Sequence, residues 1–457
     1  MRKTFSRLTV AHQSELMFGR ATHPVECGFG LRLGGGLVFP ELNFTLPPIS
    51  IEESTWSNVR AQYEDIIAMI AKASKRLQLP GLLVEYELLP PMTVHPEWGA
   101  EITALLHTGL KQMNESEGIP CALRVTPTDI RDQAHPPQLR SDSEWETLMK
   151  SFELCAKAGA DILSIESVGS KEVNDEAMLY GDITGVVFAL GVLAPRDMEF
   201  LWKEIVRVCE AHRVIPGGDS ACGFANTAMQ LASQGMLPEV FAAVVRAASA
   251  VRSLVAFECG AVGPSKDCAY EGPVLKAITG APISMEGKSA SCAHFSPVGN
   301  IAAAMCDVWS NESVQNVRLL SGSAPEAFLE LLAYDCRLLN TATAHNTQAM
   351  VQQLLVDSDA ALSPQALVLT PESTMQIATA IINEATPYKR TVAASREALR
   401  ILSDAMKLKR VQINEREKEW LGRIEEGLSA LPSNEDILIG LMAEQYGHLY
   451  SPKSYGM

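Results

Sequence analysis

Apolar and polar positions along the central part of the chain follow two alternating rhythms. Short runs rich in β-branched residues are followed by longer stretches in which apolar residues return every three or four positions. GLLVEYEL (81–88) predicts a buried strand ended by Pro90-Pro91, and the stretch from Trp98 to Glu117 predicts an amphipathic helix. IPCALRVTPTD (119–129) is the next expected strand. SDSEWETLMKSFELCAKAGA (141–160) opens on a Ser/Asp cap and closes near Gly159, so it predicts a helix feeding a strand over ADILSIES (160–167). The same rhythm predicts strands over GVVFALGVL (185–193), RVIPGGDSA (213–221) and SLVAFECG (253–260). Between them it predicts helices from Arg196 to His212, Ala225 to Gly235 and Val240 to Ala250.

This repetition of β and α units predicts an α/β protein, a closed TIM (β/α)₈ barrel rather than an open nucleotide-binding sheet. The glycine-rich stretch GFGLRLGGG (28–36) has Leu33 where a dinucleotide fingerprint needs its third glycine, and it reads as a turn before the first strand. Beyond residue 320 the pattern turns helical, in SREALRILSDAMKLKR (395–410) and NEREKEWLGRIEEGLSAL (414–431). The expected organisation is a catalytic barrel with an N-terminal extension over residues 1–320. A mainly helical C-terminal region, 321–457, would pack on the barrel and reach a subunit interface.

Composition narrows the partners. With 457 residues, 47% hydrophobic and 20% charged, the chain has the balance of a soluble globular protein. Thirty-eight basic residues against fifty-four acidic ones give a net charge of -16, which repels phosphate backbones and anionic lipid; neither nucleic acid nor a membrane is an expected partner. The N-terminus carries no continuous apolar segment, and GVVFALGVLAP from Gly185 is broken by glycine and stopped by Pro195, short of a membrane span. A cytoplasmic location follows as the expectation. The ten cysteines are scattered without the tight spacing of a disulfide framework, so most are expected to be reduced.

In such a barrel, catalytic groups sit just after the strands, at their C-terminal ends. Three residues stand there: Glu166 closing DILSIES, Cys222 following VIPGGDSA, and Cys268 in GAVGPSKDC. Taken singly each has a plain reading, since free cysteine packs readily as a small apolar side chain and a loop glutamate is ordinarily solvated. Converging on the barrel mouth, one carboxylate and two thiols make a reasonable Zn²⁺ site with an open position, which implies catalysis. Cys259 competes for the third ligand, but its place within the apolar run VAFEC favours a core role. His95 in TVHPEW and His294 in SCAHFSP are candidate acid/base groups that read better as structural donors, and Ser220 lies outside any G-x-S-x-G elbow. None of the nine histidines has an aspartate two residues earlier, so the Asp-x-His-x-x-Gly pattern that ligates a corrinoid cobalt is absent.

At ADILSIESVGSKEVND (160–175), GGDSACGFANTA (217–228) and GPSKDCAYEGP (263–273), the sequence strongly resembles the methanol:corrinoid methyltransferases, the zinc subunit of the methanol-cobalamin methyltransferase system of methanogens and acetogens. The likeness runs over nearly the whole chain. It implies a TIM barrel with an added helical region, working with a separate corrinoid-carrying subunit on methanol, with a homodimer inside the larger complex. It implies Zn²⁺ as cofactor, held by Glu166 in SIESVG, Cys222 in DSACGF and Cys268 in PSKDC. Methanol is a poor methyl donor because hydroxide is a poor leaving group, and Zn²⁺ at its oxygen supplies Lewis acidity. Two thiolates and a carboxylate weaken that acidity unless hydrogen bonds draw charge off the ligands, so N–H groups near Gly217-Gly218 and the amide of Asn226 are expected to contact them. Small residues around Cys222 leave clearance for a flat macrocycle presented face on.

Two other classes fit the same residues. A metal-dependent barrel lyase or aldolase would use the same ligands to polarise a carbonyl, and a non-enzymatic scaffold would bind partners through its helical tail and hold no stoichiometric zinc. Methyl transfer from methanol to free cob(I)alamin separates the first reading from the lyase, and metal content separates it from the scaffold.

Overall fold

The computed structural model describes residues 3–45, 49–140, 142–266, 270–288, 296–314 and 323–457. Of the sequence-based candidates, Cys268 and His294 lie outside the described residues.

Two strands, β1 (Arg20–Cys27) and β2 (Leu31–Gly35), form an antiparallel hairpin. Seven more build one parallel sheet: β3 (Phe39–Thr45), β4 (Leu82–Glu87), β5 (Cys121–Thr126), β6 (Ile162–Ile165), β7 (Ile215–Asp219), β8 (Ser284–Glu286) and β9 (Val308–Val314). Their order is β7-β6-β5-β4-β3-β9-β8, so the edges of the sheet are β7 and β8. A short extended segment bridges those edges. The Val262 N–H donates to Pro216 O on β7 at 2.9 Å, and Ser265 forms a parallel bridge with Ile283 beside β8. The segment fills the eighth position of the barrel with few ladder bonds, because Pro264 has no N–H to give and Gly263 sits at φ +91°.

The predicted strands at 81–88, 119–129, 160–167 and 213–221 are β4 to β7. Two others are corrected. GVVFALGVL is helical: Ile183–Phe188 passes through a π turn at Ala189–Leu193 into Ala194–His212 without a break. SLVAFEC lies within one helix, Glu239–Cys259, and Gly260 caps it. Residues 185–193 and 253–258 are all buried, so their apolar runs carry no helical period, and a continuous apolar run fits a buried strand equally well. The Asp182 carboxylate accepts from Thr184 N–H and caps the first of these helices. Glu239–Cys259 is also long and apolar enough to cross a membrane, yet its apolar window is wholly buried inside the protein.

The glycine-rich stretch is neither a nucleotide loop nor a bare turn, for it supplies β2 and the hairpin tip, which lies across the start of β5 through Phe29 and Cys121. At Gly28 (φ +51°) a Cβ would stand 2.4 Å from Cys121 O, so the tip approaches the barrel closer than any side chain permits. Leu31 and Leu33 of β2 join Phe39, Leu83, Ala122, Ile162 and Val308 in a small core of their own, which plugs the N-terminal end of the barrel.

Above the plug the barrel interior is polar and paired. Arg124 on β5 binds Glu41 on β3 at 2.7 Å with both side chains fully buried, and Ser284 on β8 donates to the same carboxylate. Arg124 Nη1 also donates to Ser164 Oγ (3.2 Å), Pro264 O (3.1 Å) and Ser265 O (3.3 Å), anchoring the closing segment from inside. Removing one member of such a pair strands a buried charge, at a cost of roughly 3–5 kcal/mol.

The C-terminal region is helical as expected, with Pro387–Lys407 and Glu415–Ala430 covering the two segments singled out from the sequence. Its packing is intimate rather than peripheral. Pro387–Lys407 lies on Glu239–Cys259, where Arg390 binds Glu258 at 2.6 Å among buried neighbours, and one hydrophobic core runs from the barrel helices into the tail.

Candidate metal centre

Glu166 follows β6 directly, and Cys222 lies three residues past the end of β7. Because β6 and β7 are neighbours in the sheet, the two residues follow adjacent strand ends at the C-terminal end of the barrel. Both are half-buried, the Glu166 side chain being 38% exposed. Cys222 opens a single π turn, Cys222–Asn226, that leads into the helix Thr227–Ser233. Such turns are frequent at functional sites. The turn brings the Asn226 amide onto the thiol, Nδ2 to Sγ at 3.4 Å, which is the contact expected for drawing charge off a ligating sulfur.

Gly217 and Gly218 serve otherwise than expected. Both lie within β7, in its pairing with β6, where Leu163 faces Pro216 and Ser164 faces Gly218. Gly217 is therefore the extra residue of a bulge, and a Cβ on it would meet Ser164 Oγ at 2.6 Å. The glycine gives clearance inside the barrel, and the bulge re-aims the strand end that carries Cys222.

Beneath the two loops lies a buried polar layer. Arg252, from the helix Glu239–Cys259, donates to Ser220 O at 2.7 Å and to Ser167 O at 3.1 Å and pairs with Asp219 at 3.2 Å. Asp219 accepts from Ser167 N–H (3.2 Å) and from the Trp202 indole (2.8 Å). On the other side of Cys222, Glu271 accepts from Ala221 N–H at 2.9 Å and from Ser253 Oγ at 2.7 Å, and burial pushes its carboxyl above the usual range. The loop after Glu166 is held by Asp129, which accepts from Val168 N–H at 3.0 Å, and by the Tyr455 hydroxyl, which accepts from Ser170 N–H at 2.8 Å.

Facing Glu166 across the mouth is Lys266, at the end of the closing segment. Its ammonium is buried, 2.7 Å from Glu85 Oε1 on β4, also bound to Glu87, and 3.7 Å from Glu166 Oε1. Thr126 Oγ1 and Asn43 Nδ2 complete the layer, donating to Glu85 and Glu87 at 2.8 and 3.1 Å. Neither Lys266 nor the two glutamates was singled out from the sequence. Glu85 and Glu87 left one trace there, as two acids inside the apolar run LLVEYEL.

The described residues also separate the competing candidates. Cys259 ends a helix that runs antiparallel to β7. It lies near Glu199 O (4.0 Å), three residues before Val262, which bonds Pro216 at the start of β7. That carries Cys259 toward the start of β7, whereas Cys222 follows its end. His95 is an exposed residue whose ring lies 4.3 Å from that of Trp98, tilted by 37°, a structural placement. Ser220 Oγ accepts from Cys222 N–H at 3.0 Å and serves the turn. Glu166 and Cys222 thus follow neighbouring strands, while Cys268 falls two residues beyond Lys266, outside the described part of the chain. A carboxylate and a soft thiol, partly open to solvent and each held from below, suit Zn²⁺ by donor type.

Comparison with known proteins extends this picture to the whole chain. Residues 2–456 match the family model of the methanol-cobalamin methyltransferase B subunit. The methanol–corrinoid protein co-methyltransferase of Methanosarcina barkeri (strain Fusaro / DSM 804) is 35% identical over 461 residues, covering 99% of each chain. The crystal structure of the methanol:cobalamin methyltransferase complex MtaBC from Methanosarcina barkeri superposes with a TM-score of 0.96 at 35% identity, over 100% of both chains. A barrel with Glu166 and Cys222 after adjacent strands, matched along its full length in sequence and in fold, makes this chain a member of the methanol-cobalamin methyltransferase B subunit family.

Proposed function

We propose that this chain transfers the methyl group of methanol to a cob(I)alamin-type cofactor carried by a separate corrinoid protein, with Zn²⁺ held by Glu166, Cys222 and Cys268. The observation that carries the reading is the placement of Glu166 and Cys222 after neighbouring strands, with the Asn226 amide on the thiol. When bound, Zn²⁺ would supply Lewis acidity at the methanol oxygen. The chain's own groups do the rest. Asn226 donates to the Cys222 sulfur and draws negative charge from it. The Lys266 ammonium, 3.7 Å from Glu166 Oε1, offsets the charge of that carboxylate and those of Glu85 and Glu87. Overall, the methyl group leaves the methanol oxygen for the partner's cobalt, and the oxygen departs with a proton as water.

The same reading places the protein in the cytoplasm, keeps residues 1–320 as the catalytic barrel, and gives residues 321–457 a role at a subunit interface. Leu331, Tyr334 and Leu338, exposed by 55%, 60% and 55%, share one face of the helix Ala324–Ala344 and support a homodimer within the larger complex.

The test is zinc content measured beside methanol:cob(I)alamin methyl transfer. Glu166→Gln, Cys222→Ala and Cys268→Ala are expected to lose zinc and to lower the rate by about 10²-fold or more, while Cys259→Ala keeps both. Zinc-loaded wild type that transfers no methyl group would defeat the assignment of function, and a Cys268→Ala variant retaining full zinc would defeat the third ligand.

A further inference from the structure

We infer that Arg252 is a positioning residue for the metal ligands, a single cation that fixes the spacing between the strand ends bearing Glu166 and Cys222; the inference rests on the ligand assignment above. Its guanidinium reaches both loops at once. Nη1 donates to Ser220 O at 2.7 Å, two residues before Cys222, and Nη2 donates to Ser167 O at 3.1 Å, the residue directly after Glu166. Nη2 also contacts Ser167 Oγ and pairs with Asp219 Oδ1 at 3.2 Å. The same guanidinium lies 4.5 Å from the ring of Phe224, inside the turn that Cys222 opens. Asp219 closes the arrangement through Ser167 N–H and the Trp202 indole. Arg252, Asp219 and Trp202 are each 0% exposed, so water does not compete for these bonds.

A second observation shows why such a strap is needed. The β6–β7 ladder slips register between Leu163 and Ser164 and ends at Ile165 and Asp219, below both ligands. Backbone pairing therefore does not set the separation of Glu166 and Cys222, and the bond pattern hands that task to Arg252. Only a planar fork can hold two carbonyls on different loops together with a carboxylate, which a lysine ammonium on a flexible stem does not reproduce.

The experiment titrates metal-free protein with Co²⁺ and with Zn²⁺ against a competing chelator, following thiolate-to-cobalt absorption, and records thermal melting without metal. Four forms are compared: wild type, Arg252→Lys, Trp202→Phe and Cys222→Ser. Arg252→Lys is expected to bind metal about 10–100-fold more weakly than wild type, with a shifted cobalt spectrum. Trp202→Phe, which loosens Asp219 without stranding a charge, should move affinity and spectrum the same way by less. Wild-type affinity and spectrum in Arg252→Lys would overturn the inference, as would an unchanged Trp202→Phe if the lysine variant does not fold. Wild type without metal, or Cys222→Ser with its cobalt band intact, would instead overturn the ligand assignment and leave Arg252 nothing to position.

Discussion

Placing a methyl group at Gly217 tests whether the bulge in β7 exists for clearance. The new Cβ would stand 2.6 Å from Ser164 Oγ, 2.8 Å from Ile162 Cγ2 and 3.2 Å from Leu163 O, closer than real side chains pack. Overpacking of this kind costs about 1–3 kcal/mol. The easiest relief turns the Ser164 hydroxyl away, which removes one of the acceptors of Arg124 Nη1 and adds up to about 1 kcal/mol, since Pro264 O and Ser265 O still accept from it. The expected loss for Gly217→Ala is therefore about 1–4 kcal/mol. An unfolding entropy of about 2.1 cal/mol/K per residue over 457 residues makes 1 kcal/mol worth roughly 1 °C, so Tm should fall by about 1–4 °C. Calorimetry on metal-free protein reads this directly, and Ser164→Ala completes a double-mutant cycle. Removing Oγ takes away the nearest clash, so the double variant should recover at least about 1 kcal/mol of the combined losses. Strict additivity, or a Gly217→Ala variant as stable as wild type, would show that the glycine is not there for clearance.

Two further outcomes follow from the polar groups beneath and around the barrel. Tyr455→Phe leaves the buried Ser170 N–H without its acceptor and should lower Tm by about 1–3 °C, in keeping with about 1–3 kcal/mol for an unsatisfied buried donor; no change would mean that the loop after Glu166 does not lean on the C-terminal turn. Burial raises the Asp161 carboxyl above its ordinary 3.8, although it accepts from Leu123 N–H at 2.8 Å. A raised folded-state value means that the native state favours the neutral acid, so the contribution is full below 3.8 and is lost as pH climbs through the raised value. Asp161→Asn keeps the acceptor and has nothing to titrate. Its Tm relative to wild type should become more favourable across that rise and then level, and a difference flat with pH would contradict the assigned cause.

Local rhythm made much of the fold legible. The helices between β4 and β6 have one buried and one exposed face, and β4 to β6 are short, almost fully buried apolar runs between turn residues, so local pattern reports them directly. It failed where a buried apolar run belongs to a longer helix. In GVVFALGVL (185–193) and SLVAFE (253–258) every residue is buried, so no face distinguishes helix from strand, and packing decided for helix. The strands β3, β8 and β9 went unread because β8 is three residues long and the other two each carry a glutamate and an asparagine within their runs, with a proline in β3 as well.

The candidate centre divides along the same line. Residue type and position after a strand are properties of the chain, and they sufficed to single out Glu166 and Cys222. That the two follow adjacent strand ends depends on β6 and β7 being neighbours in the sheet, which no local spacing encodes. Cys259 shows the converse: by sequence it stands as close to a presumed strand end as Cys268, yet it ends a helix, three residues before Val262 bonds the start of β7. Arg252 and Lys266 were invisible for one physical reason. A buried cation is tolerated only through acceptors gathered from distant parts of the chain, and those of Arg252 lie 32 to 85 residues away. The sequence by itself thus determined which chemical groups stand at the strand ends, and the tertiary structure alone decided which of them share a site and what holds them there.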